Sequence, residues 1–206
     1  MSKKPRVSAR KEPQQERSAS LVESIKTAAL RVFSKDNYDT ATTTKIAQIA
    51  GVSIGSLYQY FPGKDAILRA LIEERSKEQQ RALDLLLSQT AAEPLDLVLE
   101  KIIQLVAEPA HSANGVSRTF YQIGLSLGAA EPIMKSRKAA SDAIVRHLQM
   151  RGDHFTVDLN TSVPVLINAV LGAIAANIIE TSAVDGEKLI KQLTRMSLLY
   201  LTGPTS

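Results

Sequence analysis

Apolar positions recur every three to four residues along most of the chain, and no run alternates as a half-buried strand does. Leu21, Ile25, Ala29 and Phe33 fall four apart, with Val22 and Ala28 beside them. That spacing predicts a helix over 17–34 with one core-facing stripe. Ile46, Ala47 and Ala50 make a narrow stripe on a short helix after Thr42. Leu57 and Phe61, with Val52, do the same for a second short helix over 54–61. Ile67, Leu68, Leu71 and Ile72 open a helix at Lys64 that the pattern carries to about residue 88. Such a rod is roughly 37 Å long at 1.5 Å per residue. Five further helices are predicted over 94–107, 116–127, 131–151, 162–181 and 186–202. The breakers between them are Pro109 with Asn114-Gly115, Gly128, Gly152-Asp153 and Asp185-Gly186. The predicted class is all-α.

The two short helices carry the most specific signal. Residues 42–64 read T-T-T-K-I-A-Q-I-A-G-V-S-I-G-S-L-Y-Q-Y-F-P-G-K. Thr42 and Ser53 are of the types that cap helix N-termini, because a side-chain oxygen accepts an otherwise unpaired backbone N–H. Gly51 stands where the first helix must stop in the left-handed region. Pro62 and Gly63 end the second. A helix, a tight glycine turn and a second helix form the helix-turn-helix, whose second helix lies in the DNA major groove. The outward side chains are hydroxyls, an amide and two phenols, with no acidic residue from Thr40 to Lys64. Such groups reach phosphates and base edges. Candidate DNA-binding residues are therefore Thr44, Ser53, Ile54, Gly55, Ser56, Tyr58, Gln59 and Tyr60. Among them Gln59 can address adenine, and Ile54 a thymine methyl.

The same residues carry a resemblance. The pattern I-A-x-x-A-G-V-S-x-G-S-L-Y-x-Y-F-x-x-K, preceded by A-A-L-R-V-F at 28–33 and by Tyr38, resembles the TetR family of bacterial transcriptional regulators. The likeness covers about the first third of the chain. It implies a three-helix DNA-binding head on an all-helical body that binds an effector and dimerises. It also implies that Thr43, Tyr58 and Lys64 hold phosphates. Two positions depart from the family's pattern: Ser56 stands where threonine is common, and Gly63 where a stronger capping residue is common.

Charge placement agrees with a polyanionic partner. Residues 1–80 hold 14 Lys and Arg against 9 Asp and Glu. The remainder holds 11 against 12, which together give the chain's net +4. The positive excess lies with the helix-turn-helix, as an electrostatic footprint requires. Residues 1–14 read as a disordered basic arm, either solvated or reaching the DNA. The 206 residues contain no cysteine, which removes disulfides, thiolate metal sites and thiol catalysis. With no signal-peptide pattern at the N-terminus and no convincing membrane span, a cytoplasmic protein is expected.

Residues 15–62 are then expected to form the DNA-binding domain and 63–206 the effector-binding and dimerisation domain. The segment 165–179 is apolar nearly all round and rich in Ala and Gly. A helix apolar on every side must be buried on every side, which a second copy of the chain can supply. A homodimer through the last two helices follows. The three histidines share no spacing that suits a metal, no nucleophile–base arrangement is visible, and neither cofactor nor enzymatic activity is expected. The resemblance puts an effector pocket in the middle of the body, with Phe120, Tyr121, His147 and Asn168 as candidate lining. The expected function is a dimeric repressor of a palindromic operator, released by a small molecule. The alternative is a nucleoid-organising DNA-binding factor controlled by a protein partner.

Overall fold

A computed structural model describes residues 12–36, 38–111, 130–179 and 184–203. Among them are eight helices and no strand. They are α1 (Glu12–Asp36), α2 (Thr43–Ala50), α3 (Ile54–Tyr60), α4 (Lys64–Gln89), α5 (Leu95–His111), α6 (Ala130–Arg151), α7 (Leu159–Ile179) and α8 (Gly186–Thr202). The chain is all-α. The predicted helix over 116–127, with Phe120 and Tyr121, and nearly all of the N-terminal arm lie outside the described residues.

Contacts divide the chain into two compact units, Met1–Leu68 and Arg69–Ser206. The first is built on α1. Ile25, Ala28, Ala29, Val32 and Phe33 are buried on one face of it, and α1 packs against α2, where Ile46 and Ala47 are buried; Leu57 of α3 and Ile67 and Leu68 at the start of α4 are buried as well. Phe33 meets Tyr38 with ring centroids 5.2 Å apart, a tilted pair that fixes the turn after α1. In the second unit, Leu83, Leu87, Val98, Ile144, Leu148, Val163 and Leu201 belong to one apolar cluster. Ile103, Val170, Ile174 and Leu193 belong to another.

Three boundaries differ from the sequence expectation: α1 starts at Glu12 rather than near 17, taking in the last three residues of the expected arm. Proline at 109 does not end α5, which runs on to His111. Proline at 164 likewise sits inside α7, which starts at Leu159 rather than near 162. The cause of the earlier start is Asp158. Its carboxylate accepts from the Thr161 hydroxyl and from the backbone N–H groups of Asn160 and Thr161. These bonds, that from the Thr161 hydroxyl foremost, hold its carboxyl below the usual range. An aspartate with this pattern is an N-cap, and it starts the helix where the apolar periodicity alone is silent.

Candidate functional site

The helix-turn-helix is closed by its own side chains. Thr42 accepts from the Lys45 N–H at 3.2 Å, and Gly51 turns the chain at φ 69°. A residue with a Cβ is strained in that region. Ser53 caps α3, accepting from the Ser56 N–H at 3.0 Å, and its hydroxyl lies 2.8 Å from that of Ser56. Leu57 is fully buried, so α3 can present only one face outward. On that face stand Ser53, Ile54, Gly55, Tyr58, Gln59 and Tyr60, all exposed, while Ser56 is half-buried at its edge. Gly55 is not required by packing, since a Cβ there would meet only the Ser53 hydroxyl at 3.9 Å.

The candidate phosphate ligands are brought together in part. The Thr43 and Tyr58 hydroxyls are 3.1 Å apart, and Thr44 is exposed beside them on α2. Hydroxyls already in register form a ready anchor for a phosphate oxygen. Tyr60 instead donates to Ser18 of α1 at 3.1 Å. Lys64 turns inward. Its ammonium donates to the carbonyls of Tyr38 at 2.8 Å and Asp39 at 3.2 Å, and it lies 4.5 Å from the centre of the Tyr38 ring. Tyr38 in turn donates to Asp65, and burial with that partner pushes its phenol well above the usual range. Lys64 thus closes the turn that leads into α2, and one of its three N–H donors remains for an outside acceptor. Lys64→Ala is expected to weaken binding to every DNA sequence. If Lys64 also holds phosphate, the slope of affinity against salt should flatten by about one unit for each phosphate no longer held. An unchanged slope with weaker binding would assign Lys64 to the turn alone.

The second unit holds a cavity of about 240 Å³. Leu99, Ile103, Val106, Leu148, Leu166 and Val170 supply apolar wall from α5, α6 and α7. Arg75, Ser76, Gln79 and Gln80 of α4 and Ser136 and Arg137 of α6 supply polar wall. Sequence reasoning missed these residues. The signal for them was the polar run at 73–80 in the middle of a long helix, which marks a cavity face as readily as a solvated one.

His147 and Asn168 do not line this cavity. Asn168 is exposed on α7, beside a separate depression with Met134, Ser141 and Gln149, and accepts from Arg137 at 3.4 Å. His147 is buried on α6, 5% exposed, and its Nε2 has no hydrogen-bond partner among the described residues. Burial, helped by nearby Arg151 and opposed by Asp153, lowers its pKa. The unfolded imidazole therefore takes a proton more readily than the folded one. Stability from this group is full above about pH 6.5 and is lost as pH falls through the lower folded value. Between pH 8 and 5 the melting temperature should fall further for the native chain than for His147→Gln. Parallel curves would contradict that. No group of three or more metal-ligating side chains is found among the described residues.

These features match known proteins. Residues 25–71 match the model of the bacterial regulatory proteins of the tetR family. The fatty acid metabolism regulator protein of Bacillus subtilis is 35% identical over 82 residues, 39% of this chain and 42% of that one. The nucleoid occlusion factor SlmA of Glaesserella parasuis is 29% identical over 106 residues, 52% of this chain and 50% of that one. The aligned stretches thus span about half the length of these curated relatives. The crystal structure of the regulator FadR from Bacillus subtilis in complex with stearoyl-CoA superposes with a TM-score of 0.67. It is 20% identical, with 89% of this chain and 99% of that one covered. Residues 25–71, which take in both caps, the glycine turn and the helices α2 and α3, thus carry the domain of the bacterial regulatory proteins of the tetR family.

Proposed function

We propose that this chain is a dimeric DNA-binding transcriptional repressor, released from a palindromic operator by a small effector with a long apolar portion. The observation that carries the reading is the pairing of an acid-free, hydroxyl-rich outer face on α2 and α3 with a largely apolar cavity in the second unit. A relative of the same fold was solved with stearoyl-CoA, which favours an apolar chain as occupant. Residues 15–62 serve as the DNA-binding domain and 63–206 as the effector-binding and dimerisation domain. Effector release follows from population shift, which requires that the effector prefer one of two states.

The homodimer reading rests on α7. Its stretch Leu159–Asn177 is long and apolar enough to cross a membrane, yet only 28% of it is buried in the protomer. Val163, Leu166, Val170 and Ile174 face the core. Val165, Ala169, Gly172 and Ala176 form an exposed stripe of small residues on the other side. On α8, Met196, Leu199 and Tyr200 are each about 40% exposed. Two such faces from two copies make a closed two-fold contact.

The decisive experiment selects bound sequences from random DNA and titrates the resulting operator complex with saturated acyl chains. Specific binding to a palindrome, weakened by an acyl ligand, supports the reading. The similarity to a nucleoid occlusion factor favours a second one, a nucleoid-organising factor answering to a protein partner. Many scattered genomic sites and no response to any acyl ligand would favour that instead.

A further inference from the structure

The cavity lies where the two apolar clusters of the second unit meet. Leu99, Leu148 and Leu166 of its wall belong to one cluster, and Ile103 and Val170 to the other. Helix α8 contributes Ser197 and Leu201 to that wall. Ser197 stands one turn from Leu193 of the second cluster and one turn from Leu201 of the first, on the buried face of α8. Among the described lining residues of α5, α7 and α8 it is the only polar one. The residue is 3% exposed. Its hydroxyl has no hydrogen-bond partner among the described residues. The threonines of the same helix are satisfied in the usual way, Thr194 donating to the Ile190 carbonyl and Thr202 to the Leu198 carbonyl, both at 2.9 Å. Buried hydroxyls are nearly always paired. Packing of α8 along α5 asks here only for a small side chain, which alanine would supply with nothing left unpaired.

We propose that Ser197 is a ligand-reading residue. It pairs with an uncharged oxygen, a hydroxyl or an oxo group, carried part-way along the apolar portion of the effector. A serine hydroxyl both donates and accepts, so it suits either group. Its helix and the two facing it line the cavity with aliphatic side chains, which puts the oxygen inside the apolar portion and not in a polar head. A charged group is disfavoured at that point, since burying an unpaired ion costs far more than burying a neutral polar group. The inference rests on the reading of this cavity as the effector site, and it adds one chemical feature of the effector and the residue that recognises it.

The test is calorimetric titration of the full chain with dodecanoate and with hydroxy- and oxododecanoates whose oxygen steps along the chain. At least one member of the series should bind at least about tenfold more tightly than dodecanoate, as expected for one gained buried hydrogen bond. In Ser197→Ala that preference should fall to within about twofold, while dodecanoate binds as it does to the native chain. The melting temperature of this variant should equal or exceed the native value, because alanine removes an unpaired polar group from the interior. A series in which no position is favoured over dodecanoate, or a preference that persists in Ser197→Ala, overturns the role of Ser197 and leaves the apolar effector standing. Absence of binding by dodecanoate and by every derivative overturns the effector reading itself, and this inference with it.

Discussion

Gly172→Arg is expected to give a folded monomer that binds operator at least about a hundredfold more weakly. Gly172 is exposed on α7, and a Cβ added there meets nothing within 4 Å. The substitution should not harm the protomer. Replacing glycine inside a helix with a good helix former gains up to about 1 kcal/mol. The damage falls on the interface between copies. A two-fold interface brings the same patch of both subunits together, so one substitution places two unpaired charges in one apolar seam. An uncompensated buried charge costs about 3–5 kcal/mol. Once the copies part, each head engages a single half-site and the gain from linked binding, roughly 10²–10⁴-fold, disappears. Sedimentation and operator titration on the same preparation decide the matter. A native chain that is monomeric at micromolar concentration, or a variant that stays dimeric, would show that this face is not the interface.

Local signals made the DNA-binding unit legible in the sequence, and their absence made the cavity hard to see. Thr42, Gly51 and Ser53 each do in the structure what their chemistry dictates at that position, since capping and left-handed turns depend only on neighbours a few residues away. Lys64 illustrates the limit. Its partners, the carbonyls of Tyr38 and Asp39, lie some twenty-five residues earlier, and no local rule finds them. The run at 73–80 is a second case. Polarity in the middle of a long helix reads as a solvated face, yet Arg75, Ser76, Gln79 and Gln80 line a cavity. The missing information is which helices face α4 across that cavity, which tertiary contacts set. His147 stands off the described lining for a related reason. His147 packs as a buried neutral side chain, and the walls are mostly aliphatic.

One side chain ties the connection between α4 and α5 to the end of α6, and Arg151→Met should expose this. The Arg151 side chain is only 6% exposed. Its Nη2 donates to the Glu93 carbonyl at 2.6 Å, in addition to the bonds to Thr90 and Ala91, and its Nε lies 2.6 Å from Asp153 Oδ2. Thus the last residue of α6 holds the whole connection between α4 and α5. A planar fork with five donors can serve several carbonyls and a carboxylate at once, which an ammonium cannot. Methionine keeps the length and the apolar stem but leaves those acceptors without a donor. Each unsatisfied buried acceptor costs about 1–3 kcal/mol, and water can reach some of them, so a total loss of roughly 3 kcal/mol is expected. For a chain of this size that lowers the melting temperature by about 6–12 °C. Arg151→Lys should fall between, because it can restore one or two of the bonds. Asp153→Asn should cost less than either, since Asp153 is 30% exposed and its partner keeps the three carbonyls. Denaturant unfolding of the three variants gives the order, and hydrogen exchange at residues 90–94 shows whether the connection loosens first. Were Arg151→Met to unfold within 1 kcal/mol of the native chain, on the order of a single ordinary hydrogen bond, the connection would be held by the packing of Leu87, Leu95 and Leu148 instead.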